Sequence, residues 1–150
     1  MDTQVTDTDE ESSFRPEVDA TKLWAGGMAT AVVAGLVALV GVLAFRWLFG
    51  VPILAPHGAG AYGDVHTTEY VLTAALAALI ATGLIHLLLL TTPRPFGFFG
   101  WIIALATLVA MLFPFSTTAP LSQKLATGAV NLFIGIAIGS LLTGVANRSI

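Results

Sequence analysis

Four apolar stretches, Leu23 to Phe45, Tyr70 to Leu90, Phe98 to Phe115 and Leu125 to Val145, constrain this chain more than anything else in it. A helix rising ~1.5 Å per residue needs about 20 residues to cross a hydrocarbon layer ~30 Å thick, and each stretch is close to that length. No water reaches backbone N–H and C=O groups at that depth, so segments of this kind cross as helices. The expected fold is all-α: a transmembrane four-helix bundle with up-down topology.

Composition excludes the main alternatives. Charged residues make up only 10% of the 150, against about 25% in an ordinary soluble domain, and the mean hydropathy is +0.88. There is no cysteine, which removes disulfides, thiolate metal sites and a Cys nucleophile. The net charge of −3 arises in the N-terminal tail, and no basic surface for nucleic acid is present. The acidic tail runs into a full-length span rather than the short apolar region of a signal peptide, so the first span reads as an uncleaved anchor.

Residues 1–20 read as a disordered acidic cytoplasmic tail, too poor in apolar side chains to offset the entropy of ordering. Residues 21–150 read as a single four-span membrane domain. Span 1 carries Gly27, Ala31 and Gly35 at one helical spacing and Ala34 and Ala38 at another, a pattern that lets helices approach closely. The longest connection, 50–68, holds Pro52 and Pro56 and is expected to fold against the membrane surface. Pro93 and Pro95 stop span 2, which makes spans 2 and 3 an antiparallel hairpin. Pro120 suits the first turn of span 4, where its missing N–H would be unsatisfied anyway. With the N-terminus inside, Arg15, Lys22, Arg94 and Arg148 are cytoplasmic and Arg46 and Lys124 are outside. That balance favours both termini in the cytoplasm.

The polar residues near or within the spans are the candidates for chemistry. His86 is the ionisable residue that lies well inside a span; such residues are costly in a membrane and invite a functional reading. It is either a neutral imidazole bonded to a carbonyl or to Thr82, or a proton relay. Arg46 either snorkels to the headgroups or forms an ion pair with Glu69 or with Asp64. Arg46 and Lys124 stand at the outer level with the N-termini of spans 2 and 4, a setting that could bind an anion such as a lipid phosphate. His57, Asp64, His66 and Glu69 supply a weak metal inventory, but their spacing matches no standard site and a solvated outer loop is the simpler reading. Gly128, Asn131, Gly135 and Gly139 line one face of span 4, for packing inside the bundle or for a homo-oligomer. No catalytic residue and no cofactor are indicated. The aromatic residues Trp24, Trp47, Phe96, Phe98, Phe99 and Trp101 mark span ends.

Leu87 to Trp101, with its run Thr-Thr-Pro-Arg-Pro-Phe-Gly-Phe-Phe-Gly, together with Pro114 to Pro120 and Asn131 to Leu142, resembles a family of uncharacterised small four-span membrane proteins of actinobacteria. The resemblance covers the spans and not the tail. It implies four spans in a bacterial plasma membrane, and it brings no activity and no functional residues.

The expected role is that of a non-enzymatic membrane protein acting through helix–helix or lipid contacts, with the bilayer, a second copy or another membrane protein as partner. A small transporter or channel subunit is the alternative, although the span centres offer almost only Ala, Gly and Thr. A lipid-modifying enzyme using the outer loop comes third.

Overall fold

A computed structural model of the protein describes residues 17–57, 61–64 and 67–150, with the backbone alone for 55–57 and 61–64. Helix α1 covers Ala20–Leu43 and continues as a single π turn, Ala44–Leu48. Strands β1 (Leu54–His57) and β2 (Ala61–Asp64) pair antiparallel, with Leu54 opposite Asp64 and His57 opposite Ala61. Helix α2 covers Thr67–Thr91, α3 covers Pro95–Leu112 and ends in a 3-10 turn, Phe113–Ser116, and α4 covers Leu121–Asn147. All four helices are long and apolar enough to cross a membrane. They form the up-down bundle expected of an all-α membrane protein, with the ribbon capping one end and the described termini at the other.

Local chemistry sets the boundaries. Asp19 accepts a hydrogen bond from the Lys22 backbone N–H at 3.1 Å and so caps α1. At the far end Gly50, at φ +63°, takes the left-handed conformation that a side chain would resist, and the Val51 N–H closes back on the Phe45 carbonyl at 2.9 Å. Pro95 opens α3 in the first turn, where its missing N–H costs nothing. Pro120 stands one residue ahead of α4, as its N-cap, rather than within its first turn. The tail expected to be disordered lies, for residues 1–16, outside the described residues. Asp19 itself is engaged, its N–H donating to the Ser149 carbonyl at 2.8 Å and joining the two ends of the bundle domain.

Small residues decide where helices meet. In a bilayer lipid is as apolar as leucine, so contact follows from shape rather than from hydrophobicity. Helix α1 packs on both α2 and α4, and α4 touches all three other helices. A methyl group on Gly27 would lie 2.3 Å from Thr82 Cγ2, and one on Gly26 would lie 2.2 Å from Val145 Cγ1. Ala34 and Ala38 are fully buried between them. Helix α3 packs mainly on α4 and more lightly on α2, and Phe99 is its buried side chain. The connection after α1 dips into the bundle: Ile53 is fully buried, and the Leu54 N–H donates to Thr127 Oγ1 of α4 at 3.0 Å.

Candidate functional site

Because α2 and α3 touch only lightly, a cleft of ≈ 430 Å³ opens between them, floored by α4. That volume lies within the range of about 300–1,000 Å³ typical of ligand pockets. Its polar side chains cluster toward the ribbon end. Tyr70 and Thr73 come from the first turns of α2, Thr107 from the second half of α3, and Asn131 from α4. Toward the termini the walls become Ile80, Ala81 and Leu84 of α2, Ile102 and Ile103 of α3, and Ile138 of α4. Among the described residues, Asp, Glu, Lys, Arg and His are absent from the lining.

Asn131 ties three helices together at the polar end. Its Nδ2 donates to the Ala110 carbonyl of α3 at 2.7 Å, and its Oδ1 accepts from the Tyr70 hydroxyl of α2. The first bond has a clear cause. The regular donor to the Ala110 carbonyl would be the N–H four residues on, but that residue is Pro114, which has none. A carbonyl left open at this depth must be satisfied by a neighbouring helix, and the Asn131 amide does so. One N–H of the amide remains for another acceptor.

Thr107 differs from the other threonines well inside the spans. Thr30, Thr73, Thr82 and Thr143 each donate to the carbonyl four residues back. Thr127 accepts from Leu54. Among the described residues the Thr107 hydroxyl has no hydrogen-bond partner, although it is half-buried at the edge of the cleft and pressed against Gly135. It therefore offers both a donor and an acceptor to whatever fills that space.

The other residues singled out in the sequence fall in different places. Gly128, Gly135 and Gly139 all turn toward α3, where a methyl group on each would meet the Met111 carbonyl at 3.0 Å, Thr107 Oγ1 at 2.2 Å and Ile103 Cγ2 at 3.0 Å. With Asn131 they form the α3–α4 seam. His86 is half-buried near the termini end, and its Nδ1 accepts from the Trp24 indole N–H of α1 at 3.1 Å, with the rings edge to face. Thr82, one of the two partners expected for His86, instead bonds the Ala78 carbonyl at 2.8 Å and packs on Gly27.

Arg46 lies half-buried in the π turn that follows α1, with contacts of its own, and Lys124 is half-buried in the first turn of α4. Glu69 is exposed in the first turn of α2. The side chains of His57 and Asp64, and the whole of His66, lie outside the described residues. Among those described, no cluster of metal-ligating side chains forms.

Tyr70 and Thr107 were not singled out in the sequence. The one sequence signal nearby concerns Asn131: a proline in a span frees a carbonyl four residues back, and an amide well inside the next span can meet it. The cleft itself carried no sequence signal, because it follows from how far α2 and α3 splay.

No curated protein and no solved structure matches this chain. A family model described as a family of unknown function, DUF6069, matches residues 18–148, which takes in all four helices and both strands. The chain belongs to the DUF6069 family.

Proposed function

We propose that this multi-pass membrane protein is non-enzymatic and works by holding a lipid-like molecule in the cleft between α2 and α3. The observation that carries this reading is the cleft itself: it opens along two membrane-length helices, so its contents exchange with the bilayer by lateral movement and need no aqueous path. Walls of Ala and Ile side chains suit hydrocarbon. The described lining, which carries no charged residue, tells against an ion as cargo, since ion paths through membranes are built from ionisable groups or aligned carbonyls.

The orientation that goes with this reading places both termini in the cytoplasm of a bacterial plasma membrane and the ribbon outside. It is supported by the Lys and Arg balance and by the likeness to four-span proteins of actinobacteria. Cysteine-accessibility labelling in the 50–66 connection tests it, and labelling from the cytoplasmic side alone would reverse it. Arg46 and Lys124 then flank the outer headgroup level, where they would attract anionic lipid without entering the cleft.

The central test is lipid co-purification. Ala77 and Ala106 are exposed in the cleft walls, away from the bundle core. Ala106→Phe should fill the space and lower the lipid retained through detergent extraction, with the thermal midpoint close to that of the wild type. Unchanged lipid content in a well-folded variant would remove the cleft as the binding place.

A further inference from the structure

We infer that the occupant of the α2–α3 cleft is an uncharged amphiphile. Its oxygen-bearing head, a hydroxyl or a carbonyl, sits among Tyr70, Thr107 and Asn131, and its hydrocarbon chain runs toward the termini end. This rests on reading the cleft as a lipid site, and it adds the chemical class of the ligand.

Two observations specify the head. First, the polar end holds hydrogen-bonding capacity that the protein does not use. The Thr107 hydroxyl has no partner among the described residues, and the Asn131 amide has given one of its two N–H groups to Ala110. Tyr70 and Thr73 have already committed their hydroxyl hydrogens, to Asn131 and to the Glu69 carbonyl, but their oxygens can still accept. The site thus presents two donors, on Thr107 and Asn131, beside three acceptor oxygens, on Tyr70, Thr73 and Thr107, which matches a group that both gives and takes hydrogen bonds, or a carbonyl that takes two. At this depth a hydroxyl left unpartnered is costly, so a ligand that satisfies it is favoured over bare hydrocarbon.

Second, among the described residues the lining has no cation to neutralise a phosphate or carboxylate and no anion to receive an amine. A charged head would lose its hydration without compensation. Below the polar end the lining is wholly aliphatic through Ile103, Ile138 and Leu84, and it can take a chain but no second polar group. Polar at one end and apolar along its length, the cleft has the pattern of a single-chain neutral lipid.

The test uses the full chain in lipid nanodiscs and three photoactivatable probes with the same chain and a mid-chain diazirine: a monoacylglycerol, an alkyl phosphate and a headless hydrocarbon. The monoacylglycerol is expected to label the facing walls of α2 and α3 most strongly. Thr107→Val keeps the shape of the side chain and removes the hydroxyl; it should cut that labelling about fivefold, the worth of one neutral hydrogen bond. Thr107→Ser should restore it, and the hydrocarbon probe should respond to neither substitution. Equal monoacylglycerol labelling in Thr107→Val and wild type, or stronger labelling by the alkyl phosphate, would overturn the inference while leaving a lipid cleft in place. If Ala106→Phe changes the labelling by none of the three probes, the cleft reading falls as well.

Discussion

Helices α1 and α3 have nearly the same mean hydropathy, 2.5 and 2.3, yet 33% of the span containing α1 is buried within the protein and only 6% of that containing α3. Hydrophobicity does not separate them. What does is the placement of small residues. Helix α1 has Gly27, Ala31, Ala34, Gly35 and Ala38 turned to its neighbours, all of them buried. Helix α3 has Gly97 and Gly100 turned to open space, and Phe98, Trp101, Leu105 and Leu112 face the lipid. A membrane helix is drawn into a bundle by the closeness its small residues permit, and α3 is drawn in mainly by the glycines of α4. The cleft is the consequence, because a helix held on one side splays on the other.

The sharpest way to break this comparison is to add a methyl group to each helix. Gly27→Ala places Cβ against Thr82, which is fully buried and whose hydroxyl is bonded to Ala78, so the neighbour has little freedom to yield. The expected loss is about 2–3 kcal/mol, at the upper end for overpacking a close-packed site. Denaturation in mild detergent would measure it, and a loss close to zero would mean that the α1–α2 seam is looser than the geometry implies.

A smaller loss is expected at the junction that holds α3 in place. Asn131→Leu leaves the Ala110 carbonyl and the Tyr70 hydroxyl without their partner. Unsatisfied groups of this kind cost about 1–3 kcal/mol in general, and single hydrogen bonds inside membranes run lower, so about 1–2 kcal/mol is expected. Pro114→Ala supplies the missing N–H and should reduce the penalty of Asn131→Leu. A double-mutant cycle with no coupling between the two positions would remove the link between proline and amide.

The opposite sign is expected on the open side of α3. A methyl group at Gly100 meets nothing within 4 Å, and replacing a mid-helix glycine by alanine gains about 0.5–1 kcal/mol from the unfolded chain's lost freedom. Gly100→Ala should therefore stabilise the bundle slightly in the same denaturation experiment. Destabilisation would show that a second helix approaches this notch in the membrane.

Much of the architecture was legible in the sequence, for a physical reason. A chain inside a bilayer must satisfy its backbone within each segment, so length and apolarity alone give helices, and prolines at 93, 95 and 120 give their limits. The small residues of α1 and α4 were also readable as contact faces. Which neighbour each face met was not, because Gly135 and Gly139 would suit α3 or a second copy equally well in a linear text; the structure turns them to Thr107 and Ile103. The polar junction shows the same limit. Asn131 was visible as an interhelical amide, but its partners depend on a three-dimensional coincidence of Tyr70, Ala110 and Pro114 that no local spacing contains. His86 found an indole from another helix in the same way. The connection 50–68 is expected from its sequence to fold against the membrane surface, whereas Ile53, one residue ahead of the ribbon, is fully buried in the bundle.

The smallest effect is expected where α1 meets water. The Lys22 backbone N–H, and then its ammonium at 2.9 Å, hold the Asp19 carboxyl below its ordinary 3.8. A carboxyl whose pKa is depressed by folding contributes stability that is complete above the unfolded value and is lost as pH falls through the lower folded one. Both side chains are solvent-exposed, at 71% for Lys22 and 38% for Asp19, so screening keeps the contribution small. Asp19→Asn separates the charge from the cap, since an asparagine oxygen still accepts from the helix N–H but does not titrate. Between about pH 6 and about pH 3 the wild type should lose slightly more of its thermal stability than Asp19→Asn, the window being set by the ordinary carboxylate range. Identical slopes would mean that α1 is held at this end by the bond from Asp19 N–H to the Ser149 carbonyl and by packing, with the ion pair adding nothing to the fold.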